Sequence, residues 1–303
     1  YALDHETCVN SVMALLENGG RLIDTAYMYG NEAAVGRAVR ECGLPREELF
    51  VASKLDNTQR GYETAIADFE RALRVMELDY LDLYMIHWPA GSYHHPDWKQ
   101  INQDTWRAME KLYKDGKVRA IGVSNFWPHH LKALMDACEI MPMVDQIKVQ
   151  PGNMQAEIVR YCQYCGILVE SYSPLGSGDL LRSEVLAQAA SKAGKTPAQV
   201  IVRWCLQHGI SPLPRSQNPE RMKQNIDVFD FELTKEDMGS IVDLMLKEFA
   251  GRLQSERGIT IRISDSARAL LVEKGYDPKF GARPLRRTIQ TMVEDPLSDE
   301  LLE

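Results

Sequence analysis

Apolar positions in the first three quarters of the chain follow two different patterns. Short apolar runs of strand length alternate with longer segments in which an apolar residue recurs every three or four positions, as on one face of a helix. The short runs predict strands over residues 22–26, 49–53, 81–86, 118–123, 143–149, 167–172 and 211–213. The periodic segments predict helices over residues 6–17, 31–41, 62–76, 104–114, 129–138, 155–165, 197–208 and 218–228, with a long loop over 88–102. Strands that alternate with helices favour a parallel sheet closed as an α/β barrel.

Three of the predicted strands carry an ionisable group at or near the carboxyl end. Asp24 lies near the end of the first strand, and Tyr29 follows it by five residues. Lys54 and His87 come directly after the second and third strands. Because the carboxyl ends of barrel strands converge on one face, the pattern predicts that these four side chains share one pocket.

Taken singly, each of these four groups has an ordinary structural explanation. An acid and a tyrosine at a strand end are typical of turns, a lysine there is usually solvated, and a lone histidine is usually structural. Taken together they form a proton-donating site. A lysine ammonium beside a phenol favours the phenolate, an aspartate holds the ammonium in place, and a neutral imidazole can orient a carbonyl oxygen. The set lacks a reductant, so a cofactor has to supply one.

The same segments resemble the aldo-keto reductase family, from about residue 3 to about residue 237. The resemblance is carried by Leu22-Ile23-Asp24-Thr25-Ala26, Tyr29-Gly30-Asn31-Glu32, Lys54, Ile86-His87 and Ile121-Gly122-Val123-Ser124-Asn125-Phe126. It implies a (β/α)8 TIM-type barrel and the reduction of a carbonyl group by NADPH, with Asp24, Tyr29, Lys54 and His87 as the catalytic residues. Since such a barrel has eight strands and the pattern predicts seven, the expectation is that the family's first strand is missing from this chain.

The resemblance also implies which residues contact the nicotinamide end of the cofactor. Ser124, Asn125 and Gln146 match the positions that hydrogen-bond the nicotinamide carboxamide. Tyr172 matches the residue that stacks on the nicotinamide ring. The chain has no glycine-rich Rossmann motif after a strand, and the family binds its nucleotide without one.

Further matches concern the phosphates and the adenine. A cationic pair and a hydroxyl near a helix start can hold an extra phosphate, which favours NADPH over NADH. The matching residues are Ser173, Leu175 and Ser177 for the pyrophosphate, Arg215, Ser216 and Arg221 for the extra phosphate, and Gln224 and Asn225 for the adenine.

The substrate is less well specified than the cofactor. Trp88 and Trp127 follow strand ends and are candidates to line an apolar substrate pocket, although packing explains them equally well. The safest expectation is a small aldehyde or ketone. The histidine pairs 94–95 and 129–130 have no accompanying acid or cysteine at metal-ligand spacing, so no metal site is predicted.

The sequence changes character after about Phe231. The segment from about residue 234 to 303 resembles the small α+β C-terminal subdomain of the second AAA+ ring in Clp-type unfoldases, with a strand over 258–264, a helix over 266–274 and a Gly281-Ala282-Arg283 turn. The two resemblances therefore predict a chimera, with a barrel over residues 1–236 and a Clp-like domain over residues 237–303. No Walker A motif is present, so no ATPase activity is expected.

The composition of the chain argues against several classes of partner and location. The net charge of −8 disfavours a nucleic-acid or membrane-surface partner. No apolar run approaches the roughly 18 residues of a membrane span and no secretory leader is visible. Six cysteines without the spacing of a disulfide framework favour a cytoplasmic protein with reduced thiols.

The sequence leaves two alternative functions open. The first is an NADPH-dependent carbonyl reductase. The second is a non-catalytic protein whose residues 240–303 mediate assembly with AAA+ unfoldase subunits.

Overall fold

The computed structural model describes residues 3–234 together with Asp237, Gln254, Gly258 and Thr260. The strands of the described part are β1 (Leu22–Asp24), β2 (Phe50–Leu55), β3 (Leu81–Ile86), β4 (Val118–Ser124), β5 (Val144–Lys148), β6 (Leu168–Tyr172) and β7 (Ile210–Leu213). Its α-helices are α1 (His5–Glu17), α2 (Glu32–Glu41), α3 (Tyr62–Met76), α4 (Trp98–Lys114), α5 (Pro128–Met135), α6 (Ala156–Tyr164), α7 (Glu184–Ala193), α8 (Pro197–Gln207) and α9 (Pro219–Ile226).

The seven strands follow one another in chain order in a single sheet. Strands β1 to β5 are paired in parallel, with Asp24 opposite Ala52, Lys54 opposite Met85, and Ser124 opposite Gln146. Strands β2 and β3 are buried over almost their whole length, as expected of parallel strands that are covered on both faces. The predicted alternation of strands and helices is confirmed, while the predicted absence of a first strand stays a prediction.

One predicted element was wrong, and one helix was not predicted. Helix α4 begins at Trp98, inside the segment predicted as a loop, because Asn102 is buried and its amide exchanges hydrogen bonds with the backbone of Ala90. Helix α7 was not predicted at all. Ser183 caps it, and its buried Leu186, Ala189 and Ala190 lie three to four residues apart, but small alanines give a weak hydrophobic signal.

Two local features fix the strands that carry the site. The buried carboxylate of Asp82, in β3, accepts a hydrogen bond from Val51 N at 2.9 Å and pairs with Arg46 at 2.7 Å and Arg119 at 3.0 Å, which ties the start of β3 to its neighbours. Gly122 lets β4 approach β5, because a Cβ atom there would lie 2.8 Å from the carbonyl oxygen of Val144.

The described chain separates into two compact units. The first contains the residues up to Ile147, with Arg160–Glu170 and Arg215–Ile226, and the second contains Lys148–Val159, Ser171–Pro214 and the residues from Asp227. The predicted Clp-like strand, helix and Gly281-Ala282-Arg283 turn lie outside the described residues apart from Gly258 and Thr260, and the predicted boundary after residue 236 stays a prediction. Within the described residues, no helix combines the length and apolarity needed to cross a membrane.

Candidate active site

A buried ion pair joins the ends of β1 and β2. The Lys54 ammonium lies 2.6 and 2.8 Å from the two carboxylate oxygens of Asp24 and donates to the carbonyl oxygen of Thr25 at 3.0 Å. The Lys54 side chain has no exposed surface. A buried ammonium is tolerated only when it is paired, and these three contacts supply its partners and fix its position.

Tyr29 is held next to this pair by a tight turn. The segment Tyr27–Tyr29 forms one 3₁₀ turn after β1, and Gly30 ends it in the left-handed conformation at φ 66°. Lys54 Nζ lies 5.3 Å from the centroid of the Tyr29 ring. The Tyr29 ring therefore lies beside the ion pair of Lys54 and Asp24, and its catalytic role stays a prediction.

His87 completes the group from the end of β3. Its ring meets the Tyr29 ring edge-on, with 5.7 Å between centroids. Burial, and next the nearby charge of Lys54, lower the pKa of His87 to about 4, so the imidazole is neutral at physiological pH. Its buried Nδ1 has no hydrogen-bond partner among the described residues.

The residues predicted to contact the nicotinamide carboxamide are also brought together. Ser124 Oγ donates to the Gln146 carbonyl oxygen at 2.7 Å, and Asn125 N donates to the same oxygen at 3.0 Å. The Asn125 amide bonds Ser124 Oγ and the His87 carbonyl oxygen, each at 3.0 Å. Asn125 adopts a left-handed backbone with φ 61°, a conformation that asparagine tolerates better than most residues.

Sequence reasoning missed one acidic residue beside these groups. Glu170 lies in β6 and is 3% exposed. The Gln146 amide nitrogen lies 3.0 Å from Glu170 Oε2 and 3.0 Å from Asp24 Oδ1, so it joins the two carboxyl groups. Burial is the main cause that raises the pKa of Glu170 to about 7. The available signal was an acidic residue inside an otherwise apolar strand, but nothing in the sequence indicated that it shares Gln146 with Asp24.

The second unit contains the predicted ring-stacking and pyrophosphate residues. Tyr172 ends β6 and is half-buried, and burial raises the pKa of its phenol. Ser173 and Ser177 in the loop after it have left-handed φ angles of 52° and 56°, and both are exposed. Non-glycine residues in this conformation are uncommon and cluster at ligand sites. Leu175 lies between them and is partly buried.

The residues predicted to bind the extra phosphate precede and begin α9. Asn218 caps this helix through a bond from Arg221 N to its Oδ1 at 3.0 Å, and Ser216 Oγ accepts from Asn218 N at 3.1 Å. Arg215 and Arg221 are exposed, and no ion pair involves either of them within the described chain. Gln224 and Asn225, the predicted adenine contacts, lie further along α9 and are half-buried.

Large apolar side chains are exposed just after the strand ends of the first unit. Trp88 follows β3 and is 45% exposed, Trp127 follows β4 and is 47% exposed, and Tyr27 and Met28 follow β1. The Tyr27 ring packs on the Arg71 guanidinium at 4.2 Å. The predicted role of Trp88 and Trp127 in lining a substrate pocket stays a prediction. Within the described residues, no three His, Cys, Asp or Glu side chains are grouped as metal ligands.

Comparison with known proteins places these residues in context. The model of the Aldo/keto reductase family matches residues 2–245. A second family model, for the C-terminal, D2-small domain of ClpB protein, matches residues 233–303, so that the two matches overlap over 233–245. Assembly with AAA+ unfoldase subunits through residues 240–303 stays a prediction.

Among curated relatives, the glyoxal reductase of Bacillus subtilis (strain 168) is 52% identical over 241 residues, covering 80% of this chain and 84% of that protein. MGS-M4, an aldo-keto reductase from a Medee basin deep-sea metagenome library, matches in structure with a TM-score of 0.76 and 44% identity, covering 80% of this chain and 88% of that chain. A Bombyx mori aldo-keto reductase solved in complex with NADP matches with a TM-score of 0.73 and 33% identity, covering 80% and 84%. The predicted barrel fold of this family is thereby confirmed.

Proposed function

We propose that this chain, which belongs to the aldo/keto reductase family, uses NADPH to reduce small aldehydes and ketones, with Tyr29 as the proton donor. The observation that carries the proposal is the Lys54 ammonium, which is fixed by Asp24 on one side and faces the Tyr29 ring on the other. This arrangement stabilises negative charge on a phenol, and such charge appears when a tyrosine gives up its proton.

Each of the four groups has a part in that reaction. His87, which is neutral and edge-on to Tyr29, orients the carbonyl oxygen of the substrate beside the phenol. Tyr29 donates its proton to that oxygen as it becomes an alkoxide, and Lys54 stabilises the phenolate that remains. Asp24 keeps Lys54 charged and in place. NADPH, when bound, supplies the hydride that the carbonyl carbon accepts.

The residues present fit a nicotinamide nucleotide. Ser124, Asn125 and Gln146 offer a hydroxyl and two amides at adjacent strand ends, which suits a carboxamide that both donates and accepts. Exposed Arg215 and Arg221 near the start of α9 suit the additional phosphate of NADPH, since a guanidinium binds phosphate through two parallel hydrogen bonds. The Bombyx mori relative contains NADP, and the proposal extends this preference to the present chain.

The substrate proposed is a small aldehyde or ketone. The Bacillus subtilis relative is named a glyoxal reductase, which favours short carbonyl compounds for this chain as well. Trp88 and Trp127 lie after β3 and β4, next to the strand ends that carry His87 and Ser124, and would exclude water from such a substrate.

The test is Tyr29→Phe, which removes one oxygen atom and keeps the ring that contacts Lys54 and His87. We expect turnover of glyoxal to fall at least about a hundredfold, because general-acid catalysis typically contributes that much. NADPH binding, followed by quenching of protein fluorescence, should stay within about twofold of the parent. Tyr164→Phe, at a 90% exposed position at the end of α6, is the matched control and should keep full activity. Full activity in Tyr29→Phe would refute the proton-donor role.

A further inference from the structure

Four side chains from four strands form one continuous hydrogen-bonded chain in the first unit. Lys54 of β2 pairs with Asp24 of β1, Asp24 Oδ1 accepts from Gln146 Nε2 of β5 at 3.0 Å, and the same nitrogen donates to Glu170 Oε2 of β6 at 3.0 Å. The proposed reaction uses Lys54, Asp24 and Gln146. It assigns nothing to Glu170, which nevertheless lies at the end of the chain.

The two carboxyl groups determine how the Gln146 amide is oriented. Asp24, ion-paired with Lys54, can only accept hydrogen bonds, so the NH2 group of Gln146 has to face it. The reverse orientation would place the Gln146 carbonyl oxygen against Asp24 Oδ1. With one hydrogen taken by Asp24 and the other by Glu170, Gln146 has its carbonyl oxygen left for a ligand.

Glu170 can hold the amide whether or not it carries a proton. The charged groups that face it are Asp24 from β1 and Lys54 from β2, and Gln146 bonds it from β5. Burial opposes its ionisation and holds its pKa near 7. Its carboxyl group keeps an accepting oxygen in both states. Removing that oxygen would leave one buried N–H of Gln146 without a partner, and that hydrogen could then be donated to a ligand while Asp24 keeps the other.

We propose that Glu170 is a positioning residue for cofactor binding: it holds Gln146 with its carbonyl oxygen towards the ligand, and so selects a nicotinamide whose carboxamide donates a hydrogen bond. This proposal rests on the proposed function, because it concerns the same cofactor. Glu170 itself touches neither cofactor nor substrate in this account, since it acts through Gln146.

The experiment compares two nucleotides on the same protein. One is NADPH, and the other is its reduced 3-acetylpyridine analogue, in which a methyl ketone replaces the carboxamide and the donating NH2 group is lost. Dissociation constants are measured by fluorescence quenching. For the parent, the analogue should bind about tenfold more weakly than NADPH, because it leaves the buried Gln146 carbonyl unpaired.

The variants separate positioning from stability. Glu170→Met should reduce the preference for NADPH from about tenfold to about threefold or less, because the Gln146 hydrogen that Glu170 accepted is then available to the ketone while Asp24 keeps the other. Glu170→Gln restores an accepting oxygen and should keep the parental preference within about twofold. Glu110→Met is the matched control. Its carboxylate is also buried and accepts from Glu139 N at 2.7 Å and Ile140 N at 2.8 Å, so its loss should destabilise the protein without changing the preference.

The outcomes distinguish this proposal from the proposed function. A parent that binds neither nucleotide overturns the proposed function, and this proposal with it. A parent that prefers NADPH while Glu170→Met keeps the same preference overturns the role of Glu170 alone, as does a parent without preference. If Glu170→Met does not fold, Glu170→Asp replaces it in the experiment. The aspartate side chain is one methylene shorter, so its accepting oxygens lie further from Gln146. A reduced preference in Glu170→Asp but not in Glu170→Gln then supports the proposal, and an unchanged preference in both overturns it.

Discussion

Replacing Glu170 by glutamine should stabilise the protein in a pH-dependent manner. Burial raises the pKa of Glu170 from 4.5 to about 7. Below pH 4.5 the carboxyl is protonated in the folded and the unfolded chain, so it does not affect stability. As the pH rises towards 7 the unfolded chain releases this proton and the folded chain keeps it, so the free energy of unfolding falls. Above pH 7 both forms are ionised and the loss is complete.

The size of the effect follows from the pKa difference. A shift from 4.5 to about 7 corresponds to about 3 kcal/mol, reached between pH 4.5 and 7 and constant above that. Glutamine keeps the hydrogen bond to Gln146 and never ionises. The difference in unfolding free energy between Glu170→Gln and the parent should therefore rise through this window and then level off. Burial lowers the pKa values of His87 and His130 to about 4, which makes the free energy of unfolding rise with pH between about 4 and 6.5. This contribution is the same in both proteins and cancels in the difference.

Urea unfolding of both proteins between pH 4.5 and 8.5 provides the measurement, with equal m-values as the check that the comparison is valid. Glu110→Gln is the control. Its carboxylate bonds two backbone N–H groups, so that variant should be less stable than the parent at neutral pH. If the difference in unfolding free energy between Glu170→Gln and the parent stays flat or falls as the pH rises, folding does not raise the pKa of Glu170. The account of its environment would then be wrong.

Two further predictions concern the proposed phosphate site and the buried carboxylates that pair with Arg71. Arg221→Ala should weaken NADPH binding about tenfold and leave NADH binding unchanged, as measured by fluorescence quenching. Lys223→Ala, exposed on the same helix, is the control, and an equal loss for both nucleotides would contradict the phosphate contact. Arg71→Met should lower the unfolding free energy in urea by about 3–5 kcal/mol, because it leaves the buried carboxylates of Glu32 and Asp68, each 2.7 Å from Arg71, without their cation. Arg107→Met, which breaks an exposed pair with Asp104, should cost about 1 kcal/mol or less, and losses of similar size in the two variants would contradict the argument.

The proximity of the proposed catalytic residues was predictable because it depends on local patterns. Each of Asp24, Lys54 and His87 lies at or near the end of a recognisable apolar strand, and parallel strands in chain order bring such ends together. The turn that holds Tyr29 needs one left-handed residue, which Gly30 supplies. No contact between distant segments had to be known in advance.

The contacts of Glu170 were not predictable in the same manner. Gln146 and Asp24 are 122 residues apart in the chain, and their contact depends on how side chains from non-neighbouring strands meet. The register of neighbouring strands does not determine such a contact. The same reason applies to the contact of Arg71 with Glu32, which lies 39 residues earlier in the chain, on α2. The sequence alone predicts an exposed side chain for Arg71.

The buried ion pair of Lys54 and Asp24 contributes both to the stability of the fold and to the proposed reaction, so its substitution cannot separate the two. Lys54 is fully buried, and Asp24 is its counter-ion, so removing either partner leaves a charge that the surrounding protein cannot compensate. Loss of activity in Asp24→Asn or Lys54→Met would therefore reflect damage to the fold as much as lost chemistry. Tyr29 lies on a half-exposed turn, and Phe keeps its ring contacts. Loss of turnover in Tyr29→Phe at parental stability and parental NADPH affinity can therefore be assigned to the missing hydroxyl group.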